Sequence, residues 1–99
     1  MNLRVSTEAE EDLNDIWSYV SEKSASVPIA DHLIDSITEQ FRLLASRPYL
    51  GRDRDTEFGF RSRSFAVGEY VIVYGVVGTE VLILRVIHGR RDLEAIFGH

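Results

Sequence analysis

Two runs, Tyr70-Val-Ile-Val-Tyr-Gly-Val-Val77 and Val81-Leu-Ile-Leu84, decide the fold. Both are continuous and apolar, rich in β-branched and aromatic residues, and too short for buried helices, so they read as central strands. Strands apolar on both sides must be covered on both sides. Gly68-Glu69 before the first run and Gly78-Thr79 after it fit two-residue hairpin turns that want Gly first. The pattern predicts a meander of three strands over Phe60–Val67, Tyr70–Val77 and Val81–His88.

Upstream, the periodicity changes from two to 3.6. Thr7-Glu8-Ala9-Glu10 reads as a capping box, and Ala9, Leu13, Ile16, Trp17 and Val20 follow on one helical face. Trp17 is expected in the core and Tyr19 off the apolar arc. Ser24-Ala25-Ser26 breaks the pattern. Pro28 then suits the first turn of a second helix, whose apolar arc is Ala30, Leu33, Ile34, Ile37, Phe41, Leu44 and Ala45. Pro48 ends it, because the residue before a proline is pushed out of helical geometry. Two amphipathic helices with a short join make an antiparallel hairpin. Leu3-Arg4-Val5 is a short first strand, Pro48 to Gly59 a loop, and Asp92 to Phe97 at most a turn or two of helix.

The expected architecture is therefore α+β, in the order β-α-α-β-β-β: a helical hairpin packed on one face of a mainly antiparallel twisted sheet, with a short C-terminal tail. Residues 1–99 are read as a single domain. The helices cover one sheet face. The other needs the tail or a partner, and is expected to be an open binding surface.

Composition narrows the function classes. The 99 residues carry 16 acidic against 11 basic side chains, a net charge of −5. A protein that grips a phosphate backbone normally carries a positive excess, so sequence-specific nucleic-acid binding is not expected. The charge is uneven. Residues 1–48 hold four basic side chains (Arg4, Lys23, Arg42, Arg47) against nine acidic ones, whereas residues 49–99 hold seven of each. The later arginines cluster as Arg52/Arg54, Arg61/Arg63 and Arg85/Arg90/Arg91. There is no cysteine, which excludes disulfides and Cys-based zinc sites. His32, His88 and His99 form no pair at ligand spacing, so neither a metal nor a cofactor is expected. No apolar run is long enough to cross a bilayer and the N-terminus lacks a signal-peptide core. The expectation is a cytoplasmic protein with no membrane partner.

Over nearly its whole length the chain resembles the ParE/RelE toxin superfamily. The residues that carry the resemblance are Ala9-x-x-x-Leu13-x-x-Ile16-Trp17-x-Tyr19, Leu44-x-x-x-Pro48-x-x-Gly51-Arg52, Phe60-Arg61-Ser62, Tyr70-Val-Ile-Val-Tyr74 and Arg85-Val-Ile-His-Gly-Arg-Arg-Asp92. The ending His88-Gly-Arg-Arg-Asp92-Leu93 is most like the ParE branch. The resemblance implies the toxin of a type II toxin–antitoxin pair, neutralised by a ParD-like antitoxin that lays a helix and an extended segment across it in a tight hetero-oligomer. It implies DNA gyrase as target for the ParE branch and ribosome-bound mRNA for the RelE branch. A toxin that has lost activity and only binds antitoxin is the third reading.

On the gyrase reading the chain has no catalytic centre, and the target contact is assigned to Arg85, His88, Arg90, Arg91 and Phe97. Antitoxin contact is assigned to Tyr19, Arg52, Arg54, Arg61, Arg63 and Tyr74. On the RNase reading, attack of a 2′-hydroxyl on phosphate needs a base, an acid and cations for the developing charge. Arg61, Tyr74, Arg85, His88 and Arg90 are the candidate set. Two observations weigh against it. Strand alternation sends Arg85 and His88 to opposite faces, and the chain's one lysine, Lys23, lies far from the cluster. Ser62 and Ser64 have no base placed to activate them and read as solvent-facing or partner-covered strand residues.

Overall fold

A computed structural model of the chain describes residues 1–54 and 61–89. Strand β1 (Asn2–Val5) leads into helix α1 (Thr7–Ser24) and helix α2 (Val27–Ser46). Then come β2 (Arg52–Asp53), β3 (Arg63–Val67), β4 (Tyr70–Val77) and β5 (Glu80–His88). They form one five-stranded sheet in the order β1-β5-β4-β3-β2. β1 runs parallel to β5 and the other pairs are antiparallel, so the sheet is mixed with an antiparallel majority.

The central run forms the strand its composition dictates, and both hairpin glycines, Gly68 and Gly78, sit at φ +59°, where a side chain would be strained. Two strand limits differ from expectation. The first strand of the meander, β3, begins at Arg63 rather than Phe60; the chain bends at Arg61, and Phe60 lies outside the described residues. Within the expected loop, Arg52 and Asp53 pair with Ser64 and Arg63 as a short extra strand; alternating charges carry no strand signal.

α1 is capped by Ser6, not by Thr7. The Ser6 hydroxyl oxygen accepts the Ala9 amide at 3.0 Å, and the same hydroxyl donates to the Leu84 carbonyl at 2.9 Å. Any reading of local sequence misses that second bond, which ties the start of the helix to β5. α1 ends at Ala25, which takes a left-handed conformation (φ 53°) and donates its amide to the Glu22 and Ser21 carbonyls. α2 starts with Ser26 as cap and Pro28 in its first turn.

The core lies between this hairpin and the sheet. Ala9 and Ile16 of α1 and Ile37, Phe41 and Leu44 of α2 pack on Tyr70, Ile72 and Tyr74 of β4 and Val81, Ile83 and Val86 of β5. Trp17 is only half-buried. Its indole N–H donates to Asp31 at 2.7 Å, so it clips the two helices together at the rim rather than filling the core.

The far face is not the open apolar surface the sequence predicts. Val73 and Ile87, which project there, are 0% and 2% exposed, while Val77 at the end of β4 is 59% exposed. Ser62 and Ser64 are also buried rather than solvent-facing. No described helix is long and apolar enough to cross a membrane.

Candidate functional site

Two interlocks flank β4, one on its β5 side and one on its β3 side. The first joins α1 to β5. The β4–β5 register steps between Val73 and Tyr74, so that Leu84 has no partner across the ladder. Such a step interrupts strand alternation. Beyond the end of β1 the edge of β5 away from β4 is uncovered, and there Arg85 reaches α1, donating to the Asp12 carboxylate from Nε at 2.8 Å and from Nη2 at 3.0 Å. The Val86 amide donates to the same carboxylate at 2.9 Å. His88 lies across from Tyr70 in the ladder and meets its ring edge-on, with centroids 5.6 Å apart. In the ladder Arg85 lies across from Val73 and His88 across from Tyr70, so the two leave the strand on opposite faces as expected, and the Arg85 guanidinium meets Asp12 at the edge of β5. Asp12, Asp15, Tyr19, Tyr70 and Arg85 line a cleft of about 330 Å³ there, and Glu69 stands 3.9 Å from the His88 imidazole.

The second interlock holds the segment after α2. Tyr74 is 0% exposed. Its hydroxyl accepts the Gly51 amide and donates to the Pro48 carbonyl, both at 2.8 Å. Burial raises the tyrosine above its ordinary value, against the lowering effects of the Gly51 hydrogen bond and the Arg63 charge. Arg63 donates to the Gly51 carbonyl at 2.7 Å and lies 4.9 Å from the centroid of the exposed Tyr49 ring. Arg54 donates to the Ser64 hydroxyl at 2.8 Å.

These placements sort the predicted residues. Tyr74 offers no surface to an antitoxin and no accessible hydroxyl to an RNA; it is a structural latch, and that assignment is corrected. Its aromatic character pointed equally to core and to surface in the sequence. Tyr19, 46% exposed, lies at the α1–β5 cleft, while Arg52, Arg54, Arg61 and Arg63 gather round β2 and the start of β3. Arg90, Arg91 and Phe97 fall outside the described residues. The residues proposed for RNA cleavage are not brought together. Arg61 lines a cleft with Gly75, and His88 pairs with Tyr70. Those positions are five residues apart in β4, about 16 Å along the strand. Sequence reading missed Asp12, one of several acidic residues off the apolar arc; nothing local marks it as the one facing β5. Among the described residues no cluster of His, Asp or Glu could hold a metal ion.

A helical hairpin on one face of a mixed five-stranded sheet, tied to its last strand by the Asp12–Arg85 ion pair, makes a small α+β domain. A solved structure described as the chromosomal ParDE toxin–antitoxin system from P. aeruginosa superposes with a TM-score of 0.77, at 23% identity, over 89% of this chain and 95% of that one. Residues 3–93 match the family model of the ParE toxin of the type II toxin–antitoxin system parDE, and the chain belongs to that family. Two relatives from Caulobacter vibrioides agree. Toxin ParE3 is 35% identical over 88% of this chain and 85% of the relative, and Toxin ParE1 is 31% identical over 96% of each.

Proposed function

We propose that the chain acts as a growth-inhibiting poison of DNA gyrase, stabilising the enzyme's cleaved-DNA complex, and that a ParD-like antitoxin neutralises it in the cytoplasm. Membership of the ParE family over nearly the whole chain is the observation that carries this reading. The partly closed far face of the sheet lends it no independent weight. The dispersal of Arg61, Tyr74 and His88 favours a protein-binding mechanism over RNA cleavage. On this proposal residues 1–99 form one toxin domain. Arg85 and His88 contact the target together with Arg90, Arg91 and Phe97. Tyr19, Arg52, Arg54, Arg61 and Arg63 contact the antitoxin.

Induction of the chain in cells without its antitoxin tests the reading. DNA-damage signalling with intact messages is the expected result, relieved by co-expression of the neighbouring antitoxin gene. Cuts at codon boundaries in translated mRNA would replace gyrase by the ribosome as target. Normal growth would leave a binding module without toxicity.

A further inference from the structure

We propose that the cleft at the start of β3 is a binding pocket for a phosphoryl group, a site independent of the gyrase reading. Tyr49, Asp53, Arg61, Ser62, Arg63 and Gly75 line a cavity of about 140 Å³. That is smaller than the ~300–1,000 Å³ usual for drug-sized ligands and suits a single oxyanion.

Three features set its chemistry. The Ser62 side chain is 4% exposed, and its hydroxyl has no hydrogen-bond partner among the described residues. Buried hydroxyls are rarely left so; the oxygen is enclosed, and it would meet a ligand oxygen once the Ser62 side chain turns toward the cleft. Arg61 is exposed and makes no hydrogen bond or ion pair among the described residues. Arg63 is oriented by the Gly51 and Tyr49 carbonyls and by the Tyr49 ring, all uncharged partners that leave its positive charge in place. Asp53, across the ladder from Arg63, supplies one carboxylate. Among the described lining residues two guanidinium groups against one carboxylate leave a positive balance, and a hydroxyl donor completes a set that matches the several oxygens of a phosphate. Gly75 keeps the cleft open: a Cβ there would stand 3.3 Å from the Arg61 carbonyl.

The phosphoryl group can come from a free phosphate or nucleotide, or from the 5′ end of a DNA strand. NMR titration of the full chain distinguishes these sources, using inorganic phosphate, AMP, and a short single-stranded oligodeoxynucleotide with and without its 5′ phosphate. Saturable shifts confined to Ser62, Arg63, Gly75 and the Arg61 side chain are expected. Arg61→Gln, an exposed change that leaves the fold intact, weakens binding at least about tenfold. Ser62→Ala weakens it severalfold while leaving the melting temperature in phosphate-free buffer unchanged or higher, because the lost hydroxyl had no partner. If the phosphorylated oligonucleotide binds at least about tenfold tighter than inorganic phosphate, the source is a strand end; equal affinity assigns the pocket to small phosphates. Shifts that do not saturate, that spread equally to Arg4 and Arg42, or that survive both substitutions would mean an adventitious ion only and overturn the proposal.

Discussion

Asp12 of α1 and Arg85 of β5 are joined by two hydrogen bonds, at 2.8 and 3.0 Å, and the same carboxylate accepts the Val86 amide. β1 stops opposite Ile83, so beyond that point a side chain of α1 takes the place of a strand on that side of β5. The Asp12 side chain is 13% exposed and that of Arg85 35%, which places the pair at the edge of the core rather than in water. Removing the carboxylate leaves a partly buried guanidinium and an amide without an acceptor. Asp12→Ala is expected to cost about 2–4 kcal/mol, less than a fully buried pair because Arg85 keeps some solvent. Arg85→Met, which retains the apolar stem and spares the Val86 bond, costs about 1–2 kcal/mol. Urea midpoints check the order; equal or negligible losses would mean the contact does not hold α1 to the sheet.

Tyr74 and Gly51 form a second interlock. A Cβ on Gly51 would lie 2.5 Å from the Tyr74 hydroxyl and 2.8 Å from the Ser64 carbonyl oxygen, so the segment after α2 must shift if any side chain is added. Gly51→Ala is expected to lower stability by more than about 2 kcal/mol. Tyr74→Phe, which leaves the buried Gly51 amide unmatched, costs about 1–3 kcal/mol. The double variant loses less than the sum, because the two changes damage one contact. Full additivity in a denaturant cycle would contradict the latch.

The same tyrosine gives a pH dependence whose sign is fixed. Its folded value is raised above 10.0 by burial. Below pH ~10 both folded and unfolded chains keep the phenolic proton, and stability is unaffected. Above that, the unfolded chain releases its proton first, so stability falls as pH rises toward the folded value. The wild type should therefore lose stability more steeply above pH ~10 than Tyr74→Phe, as followed by thermal unfolding across the alkaline range. Parallel curves would show that Tyr74 is not the group responsible.

Ser6 is predicted to matter more than Thr7. Ser6→Ala removes both the helix cap and the bond to Leu84, for about 1–2 kcal/mol. Thr7→Ala, in the first turn with no such partners among the described bonds, changes stability by about 0.5 kcal/mol or less. Melting temperatures of the two variants separate the assignments, and a larger loss at Thr7 would restore the capping box read from sequence.

Much of this fold can be read in the chain because its signals are local. The Tyr70–Val77 run, the turn glycines and the apolar arc of α2 each declare their state within a few residues. What escaped reading depends on register between distant segments. A one-residue step in the β4–β5 ladder leaves Leu84 unpaired and sets Arg85 across from Val73, and the Asp12 contact forms where β1 no longer covers the outer edge of β5. Nothing in Leu84-Arg85-Val86 announces that step, just as nothing around Asp12 announces its partner. Thr7 and Glu10 offer as good a local cap as Ser6, and the deciding bond is to Leu84. An aromatic in a strand, such as Tyr74, is compatible with either face until the segment that covers it is known. The candidate site is thus legible as a set of arginines and aromatics, but their division between the β5 side and the β3 side of β4 is not.

The central claim, that this toxin acts on gyrase rather than on RNA, is tested most directly by a supercoiling and DNA-cleavage assay. Purified chain and gyrase are incubated with plasmid, beside a cell-free translation reaction receiving the same chain. Loss of supercoiling with accumulation of cleaved plasmid, reversed by the antitoxin and accompanied by unimpaired translation, is the predicted result. Undisturbed supercoiling together with arrested translation would contradict it.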